Sequence, residues 1–416
     1  MSGKMTKKAA VIGAGISGLH ASYLLEQQGV SVDLIDKEDR IGGRMISEKK
    51  DGFILDKGFH VLQTAYPLAS SLFDYESLGC KAFEPGAMVI DSSSKKSKIW
   101  RFSDPFRRPI KGFFSVFNTF TNPLNLMRIG LLRLKILRIS QEKIFTKGQL
   151  STYDFLLSRG FSDSFIRRFF VPLFGGIFLE NELRTDERMF KFVFRNMSKG
   201  NMVLPKEGIQ ACPKYLFEKL KSTNLILNSD VTIMNKNELS INGVSSKYDY
   251  IIKTYSDNHK SQKRDVWTVY FAAPKSPVNG KYLLLNSNVC EAGNLISHIA
   301  IPSDVQPSYA PDGQSLIVAT IVGESASRLG LEQSTEIKDA AITELIEWFG
   351  EQVNKWRIID VKYIVNALPE LTSDDYDMIQ TKNGKFECGD HTYHASVEGS
   401  LLSAQRTVSS LDLDGD

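Results

Sequence analysis

The chain has 416 residues, which is long enough to bury more than one hydrophobic core and predicts two or three domains. Its apolar content of 42% and charged content of 24% are ordinary for a globular protein, and a formal net charge of +3 excludes a general electrostatic case for binding nucleic acid. The cysteines are too scattered for zinc-ligand or disulfide spacing, so the sequence predicts no metal site; they are Cys80, Cys212, Cys290 and Cys388.

The first predicted elements are a buried strand, a glycine-rich turn and a helix. Residues 9–12 form a short apolar run bounded by glycine, as in the first strand of a parallel sheet. Gly13 allows a tight turn, Gly15 lets the backbone approach a pyrophosphate, and Gly18 lets the helix pack on the strand. The helix over residues 17–28 points its unpaired N–H groups at that anion. The candidate cofactor-binding residues of this segment are Gly13, Ala14, Gly15, Ser17 and Gly18.

The second predicted strand, over residues 30–35, ends in an acidic residue. Asp36 follows Gly18 by 18 residues, close to the spacing at which a carboxylate accepts hydrogen bonds from the adenosine ribose. A carboxylate there disfavours a 2′-phosphate, and Lys37 beside it belongs to the same candidate site. Strand, turn, helix and acid together predict a dinucleotide site, with a glycine turn of purely structural importance as the alternative.

Two stretches after this unit indicate which dinucleotide binds. Residues 40–44 read RIGGR and residues 51–60 read DGFILDKGFH. Together they resemble the flavin-containing amine oxidase superfamily, which includes protoporphyrinogen oxidase and the phytoene desaturases, and in that family the cofactor is FAD. A second glycine pair and a guanidinium fork suit a tightly held pyrophosphate. The resemblance adds these candidate cofactor-binding residues: Gly42, Gly43, Arg44, Gly58 and Phe59.

Residues 83–199 are predicted to be a largely helical insertion, and one of its helices is basic. Over residues 124–139, the cations Arg128, Lys135 and Arg138 share one helical stripe, while leucine and isoleucine occupy most of the rest. Such a helix could lie on an anionic bilayer and admit a lipid-soluble substrate. A buried core helix whose cations reach solvent is the alternative.

Residues 200–254 supply a third piece of the cofactor domain. They predict a helix over residues 211–221, a hairpin, and a last strand over residues 248–254. The superfamily has this order of elements, and the resemblance implies that Val231 contacts adenine through its backbone. Lys253 departs from the small residue that is usual before the threonine.

Residues 266–367 are predicted to alternate as strands before a helix over residues 336–350. With the helical insertion they would form an α+β substrate domain, a mixed sheet plus helices over the flavin. The fold class is therefore α/β, with a Rossmann-like FAD-binding domain assembled from separated segments. The FAD-binding domain comprises residues 1–82, 200–265 and 368–416, and the substrate domain comprises residues 83–199 and 266–367.

The closing motif lies near the other end of the sequence. Residues 386–391 read FECGDH and precede a predicted helix over residues 395–408. The resemblance implies a strand, then a Gly-Asp pair at the ribityl or pyrophosphate region, then a helix whose amino end faces the flavin. A positive dipole there would favour the anionic reduced flavin. The candidate cofactor-binding residues here are Gly389, Asp390, Ser396 and Val397.

Few titratable side chains belong to the motifs around the expected flavin. His60 and His391 are the candidate catalytic groups, although either can instead be a packed or solvated histidine. The sequence lacks the Ser-Gly-Gly-Cys-Tyr motif that carries covalent flavin in the monoamine oxidases, so we expect non-covalent FAD. It also lacks a second phosphate-binding glycine motif, so the expected electron acceptor is oxygen or a quinone.

These patterns favour an FAD-dependent dehydrogenase or oxidase that takes a hydride from a hydrophobic small molecule, of the protoporphyrinogen oxidase, carotenoid desaturase or amine oxidase type. Two alternatives stay open: a flavin-dependent isomerase without net redox change, and a non-enzymatic binding protein like the Rab GDP-dissociation inhibitors, which share the fold. The sequence leads directly into the phosphate loop, and no apolar run is long enough to span a bilayer. We therefore expect a cytoplasmic protein, peripheral on a membrane if the helix over residues 124–139 lies on one.

Overall fold

The structure is a computed structural model of the chain. It describes residues 7–94, 96–104, 106–108, 123–146, 148–256, 263–371, 374–376 and 386–413. The outermost parts of the predicted FAD-binding domain, residues 1–6 and 414–416, lie outside the described residues.

Strands and helices both occur along the length of the chain. The strands are β1 (Lys8–Ile12), β2 (Ser31–Ile35), β3 (Ser47–Lys50), β4 (Phe53–Asp56), β5 (Leu62–Gln63), β6 (Lys81–Ala82), β7 (Gly86–Asp91), β8 (Lys98–Ser103), β9 (Met202–Leu204), β10 (Asn224–Ile226), β11 (Val231–Asn235), β12 (Glu238–Ile241), β13 (Val244–Lys247), β14 (Tyr250–Lys253), β15 (Lys263–Ala273), β16 (Leu283–Asn286), β17 (His298–Ala300), β18 (Ser315–Val322) and β19 (Arg357–Pro369). The α-helices are α1 (Ile16–Gln27), α2 (Pro67–Leu72), α3 (Pro123–Leu137), α4 (Gln141–Ile144), α5 (Thr152–Ser158), α6 (Asp163–Phe165), α7 (Gly176–Phe178), α8 (Glu187–Lys199), α9 (Ala211–Phe217), α10 (Pro302–Val305), α11 (Gly323–Arg328), α12 (Ser334–Phe349) and α13 (Val397–Ser409). A π-helix spans Ile166–Gly175, and short 3-10 turns occur at Pro307–Tyr309, Gly350–Lys355 and Asp390–Thr392.

The cofactor side of the molecule is built on a parallel sheet of order β10-β2-β1-β14. Nearly all of β1 is buried, which explains its continuous apolar sequence. α1 packs against α13 from the far end of the chain, and His20 Nδ1 lies 3.0 Å from the carbonyl oxygen of Leu401. The predicted strand, turn, helix and strand at the start of the chain are confirmed, with each boundary within about two residues.

The second layer is a seven-stranded mixed sheet of order β19-β15-β18-β17-β16-β7-β8. One face packs against α12 through a cluster that includes Trp267, Ile317 and Leu345. The opposite face packs through Tyr270 and Val318 against apolar residues of the first segment. The sheet therefore has a structural outer face and an inner face turned toward the cofactor side.

The prediction that residues 83–199 are largely helical is wrong in part. β7 and β8 lie in this insertion and form an antiparallel hairpin, and β7 also pairs in parallel with β16 of the second insertion. A two-stranded hairpin alone is only marginally stable, so the pairing with β16 supplies what the local sequence does not. Short apolar runs do not by themselves distinguish a strand from a buried helix segment.

The described residues 123–146 and 148–199 of this insertion are mainly helical and are held together by aromatic side chains. Phe170, Phe174 and Phe190 are almost fully buried in one cluster, with ring centroids 4.6–6.2 Å apart. Pro172 lies inside the π-helix, where it cannot donate a backbone hydrogen bond. These three phenylalanines are therefore core residues.

Two further predicted elements differ from those observed. The helix predicted over residues 211–221 is α9 and ends at Phe217. Among the described residues, the strand predicted before Gly389 is one parallel bridge between Lys253 and Glu387, because Phe386 and Gly389 have φ values of 71° and 145° and turn the chain on both sides of it.

Candidate cofactor site

The turn after β1 can be built only with glycine at two positions. Gly13 has φ of 109°, and a Cβ there would lie 2.1 Å from Thr254 Oγ1. A Cβ on Gly18 would lie 1.9 Å from the carbonyl oxygen of Gly13. The structure therefore confirms the close packing of helix on turn that the sequence predicts.

The second glycine pair lies directly on the first turn. The backbone N–H of Gly42 donates to the carbonyl oxygen of Ala14 at 2.9 Å, and Gly15 and Gly42 form a parallel bridge. A Cβ on Gly43 would approach Gly15 Cα to 3.2 Å. No side chain caps the amino end of α1, which begins immediately after Gly15. The two segments thus present bare backbone and a helix amino terminus, which suits a phosphate group.

Asp36 is held at the carboxyl end of β2 beside this turn. Its carboxylate accepts the N–H of Ala14 at 2.6 Å and the N–H of Glu38 at 2.9 Å. Its carbonyl oxygen accepts the N–H of Ser229 at 3.0 Å, which brings the start of β11 to the same place. Val231 there packs against the apolar cluster that includes residues of β1 and β2. The predicted acidic and adenine-contacting positions are therefore neighbours, while their roles stay predictions.

Arg44 and Asp390 form an ion pair between opposite ends of the chain. Arg44 Nη2 lies 2.6 Å from Asp390 Oδ2, and Arg44 Nη1 donates to the carbonyl oxygen of Ala367 at 2.9 Å. Burial alone would raise the pKa of Asp390, but the Arg44 charge and the hydrogen bonds from His391 and Arg44 hold that pKa below its ordinary value. Asp390 is therefore a buried carboxylate anion.

The segment around Asp390 is fixed by backbone contacts to β14 and α13. Cys388 N donates to the carbonyl oxygen of Lys253 at 2.8 Å, and Gly389 N donates to Ser403 Oγ at 2.8 Å. His391 Nε2 lies 3.0 Å from Glu387 Oε1. Burial lowers the pKa of His391, but Asp390 and Glu387 outweigh it, so the pKa is raised overall.

The amino end of α13 is capped and tied to α2. Ser396 Oγ accepts the N–H of Gly399 at 3.0 Å and lies 3.0 Å from His394 Nδ1. Glu398 in the first turn accepts the N–H groups of Leu68 and Ala69, each at 2.9 Å. Val397 packs against the core of the cofactor side. The helix start is thus a rigid, polar terminus next to the closing segment.

His60 lies in a second part of the site, below the inner face of the large sheet. Its Nδ1 lies 3.2 Å from the carbonyl oxygen of Gly58, whose N–H donates to the Tyr270 hydroxyl at 3.0 Å. Burial lowers the pKa of His60, the negative charge of Asp56 opposes this, and the positive charge of Arg44 adds to the lowering. The two candidate catalytic histidines thus have pKa values shifted in opposite directions around the same arginine.

The family described as flavin containing amine oxidoreductase matches residues 16–259 and 269–411 of the chain. The chain belongs to this family. Membership assigns it to a class of flavin-containing oxidoreductases and confirms the resemblance found in residues 40–60.

Curated relatives match shorter parts of the chain. Protoporphyrinogen oxidase 2 of Arabidopsis thaliana is 33% identical over 126 residues, which cover 30% of this chain and 22% of that protein. Coproporphyrinogen III oxidase of Staphylococcus aureus is 43% identical over 56 residues, 13% of this chain and 12% of that protein. The 4,4′-diapophytoene desaturase of S. aureus strain Newman is 49% identical over 51 residues, 12% and 10% of the two chains. Each match spans about a fifth or less of the relative's length.

Solved structures share the whole architecture. An oxidoreductase from Methanosarcina mazei superposes with a TM-score of 0.71 at 17% identity, covering 96% of this chain and 99% of that one. Cyclohexylamine oxidase from Brevibacterium oxydans superposes with a TM-score of 0.72 at 14% identity, covering 97% and 98%. At these identities the likeness establishes the fold.

Thr254 and Tyr270 also contribute to the site, and neither was predicted from the sequence to do so. Thr254 Oγ1 donates to the carbonyl oxygen of Ile12 at 3.0 Å beside Gly13, and the Tyr270 hydroxyl donates to the carbonyl oxygen of Asp56 at 2.5 Å. Both lie on buried strands or strand ends, where an apolar run gives no sign of which face meets the site.

Proposed function

We propose that the protein is an FAD-dependent oxidoreductase that takes a hydride from a hydrophobic small molecule. The observation that carries this proposal is the meeting of the glycine turn, Asp36 and the Arg44–Asp390 pair, which come from separate stretches of sequence. A fold of this kind without a dinucleotide would have no need for bare glycine backbone beside a ribose-binding carboxylate.

The residues present fit FAD. Bare backbone at Gly15 and Gly42 and the uncapped end of α1 would hold the pyrophosphate, and Asp36 would accept the ribose hydroxyls. Arg44 would neutralise negative charge through the guanidinium N–H groups that Asp390 and the Ala367 carbonyl oxygen leave available. Bound FAD would supply the hydride acceptor. The protein's own contribution is to orient the substrate and exclude water.

A covalent link to the flavin is not part of this proposal. The cysteine of the closing motif, Cys388, is fully buried, and burial raises the pKa of its thiol to about 12. A thiol in that state is a poor nucleophile. We therefore propose non-covalent FAD, with oxygen or a quinone as the acceptor that reoxidises it.

The proposed substrate is apolar because apolar side chains of β7, β8 and β16 cover one part of the inner face of the large sheet. Phe59 of the first segment packs there with Phe169 and Leu173 of the π-helix. The relatives named for porphyrinogen oxidation and diapophytoene desaturation indicate the size and polarity of molecules to be tried first.

The test is anaerobic mixing of the FAD-loaded protein with amines, porphyrinogens and polyenes, following the visible flavin absorbance. Bleaching by one of these classes, reversed by oxygen or a quinone, is expected. Turnover of a substrate with no acceptor consumed would replace this proposal with an isomerase. A protein that takes up no FAD would contradict the enzymatic proposal altogether and favour a binding protein.

We further propose that α3 contacts an anionic bilayer. One face of α3 buries Leu132 and Ile136, whereas the other exposes about half of each of these apolar side chains: Leu124, Met127, Leu131 and Leu134. Lys135 and Arg138 are exposed beside them. None of the described helices is long and apolar enough to cross a membrane, so the proposed contact is a surface one.

The predicted basic stripe on α3 needs one correction. Arg128 is only partly exposed and lies 3.4 Å from Asn125 Oδ1. Arg133, outside the predicted stripe, is turned inward, where it pairs with Asp104 at 2.6 Å and donates to the carbonyl oxygen of Ser198. The outer face is therefore apolar with Lys135 and Arg138 at one end.

A further inference from the structure

The inner face of the large sheet carries a row of buried polar side chains. His298 in β17 is paired with Thr320 in β18, and Thr320 is paired with Thr268 in β15. Directly paired residues project from the same face of a sheet, so the three side chains form one line across three strands. Their exposed fractions are 4%, 3% and 0%. We call His298, Thr320 and Thr268 the polar row.

Most polar atoms of this row lack a hydrogen-bond partner within the described part of the chain. Both ring nitrogens of His298 and the hydroxyl oxygen of Thr320 make no hydrogen bond there, and the Thr268 hydroxyl adjoins only the Tyr270 phenol. A buried donor or acceptor left without a partner costs about 1–3 kcal/mol, and native proteins contain few such groups. Several adjacent ones on one surface indicate a place where another molecule supplies the partners.

The row lies between the first segment and the π-helix. The His298 ring is 5.6 Å from the Phe59 ring, and a Cβ on Gly176 would lie 2.4 Å from His298 Nδ1. Gly176 directly follows the π-helix, a helix type frequently found at functional sites. Because Gly176 has no side chain, the His298 ring fits between Gly176 and Phe59.

The chemistry of the row suits a neutral ligand group. Burial lowers the pKa of His298 to about 4, so near neutral pH its ring offers one donor and one acceptor. Lys362 of β19 is the next residue across the sheet, but its ammonium is paired with Glu48 at 2.6 Å. No free charge of the described row is left to balance a buried ionic ligand, and burying an unpaired charge is costly.

We propose that the polar row is a polar subsite for the substrate, where it hydrogen-bonds a neutral carbonyl, amide or hydroxyl group of an otherwise apolar molecule. This inference rests on the proposed function, because Phe59 is a predicted flavin-side residue. It narrows the substrate class from hydrophobic molecules in general to those that place a neutral polar group on the row.

The test compares matched probes by calorimetry on protein purified with added FAD. The probes are 2-acetylnaphthalene, 2-naphthalenemethanol and 2-ethylnaphthalene, which share an apolar body and differ in the polar group. We expect the carbonyl and hydroxyl probes to bind roughly tenfold more tightly than the ethyl probe, as one or two buried hydrogen bonds would give. Thr320→Val and His298→Phe keep the shape of each side chain and should each remove most of this preference.

Ser297→Ala is the matched control. Ser297 directly precedes His298, lies just outside β17, and has a buried hydroxyl that also lacks a partner among the described residues. This variant should keep the full preference. Thermal unfolding of each variant would check that its fold is intact.

The proposal is overturned if the wild-type protein binds the probes equally or not at all, if the preference survives in both row variants, or if Ser297→Ala also removes it. Flavin absorbance distinguishes failure of the polar subsite from failure of the proposed flavin chemistry. A preference in a protein that takes up no FAD would refute the flavin chemistry alone, whereas a yellow protein without the preference would refute the polar subsite alone.

Discussion

Asp36 is the side chain on which the proposed adenosine contact depends most directly. Asp36→Ala should weaken FAD binding by roughly 1–3 kcal/mol, because the ribose hydroxyls would lose their acceptor and the N–H of Ala14 would lose its partner. Quenching of free flavin fluorescence measures the dissociation constant. Asp39→Ala, at a side chain that is 71% exposed, serves as the control and should bind FAD as the wild type does. Equal affinity of the two variants would contradict the assignment.

Asp390 should make the folding stability of the protein depend on pH. Because its folded pKa is lowered, its ion pair contributes stability above the ordinary carboxylate pKa of about 4 and loses that contribution as the pH falls toward the folded pKa. Asp390→Asn should therefore lower the free energy of unfolding most at neutral pH, with the difference from wild type shrinking below about pH 4. Urea unfolding across that range checks this. A difference that is independent of pH, or one shared by Asn at the exposed Asp312, would contradict it.

Single residues also show how far the sequence could be interpreted. The roles of Gly13 and Gly18 in shaping the turn were predictable, because the motif has one stereochemical purpose and the distances confirm it. The pairing of Arg44 with Asp390 could not be predicted, although both residues were predicted to belong to the cofactor site. Ion pairs of this kind depend on how distant segments pack against each other, and the spacing of residues along the chain does not predict that packing.

At the scale of elements, α3 offers a direct test of surface binding. Changing Leu131 and Leu134 to Gln together should abolish sedimentation with vesicles of anionic lipid, because apolar area buried in the lipid provides most of the binding energy. Lys135→Gln with Arg138→Gln should weaken sedimentation and make it insensitive to salt. Changing the exposed Leu157 of α5 to Gln is the control. A native protein that never sediments would contradict the bilayer contact.

The helix α3 also shows that the periodicity of apolar residues predicts a helix but not which of its faces is buried. The sequence predicted a helix over residues 124–139, and the structure has one at Pro123–Leu137. Its two apolar faces look alike in the sequence, and only packing against α8 decides which is buried. The hairpin of β7 and β8 was missed for a related reason, since its stability depends on β16, which comes much later in the chain.

At the scale of the whole molecule, the proposed coenzyme should stabilise several distant segments together. Adding FAD should slow hydrogen exchange at residues 13–18, 40–44 and 389–399 in parallel, and should raise the melting temperature with FAD concentration. Mass spectrometry of peptides from these stretches measures this. Peptides of α12, which packs on the outer face of the large sheet, provide the unchanged reference. Protection of only the first glycine turn would contradict a site shared among the segments.

The packing of α13 on α1 has a consequence for biosynthesis. The ribosome synthesises α1 and its glycine turn early, but the apolar surface of that helix stays exposed until α13 has been synthesised. Arg44 also has no Asp390 to pair with before that point. A nascent chain should therefore not retain the proposed FAD until α13 has emerged and packed on α1. Premature stop codons upstream of α13 should yield polypeptides that are colourless and quickly degraded.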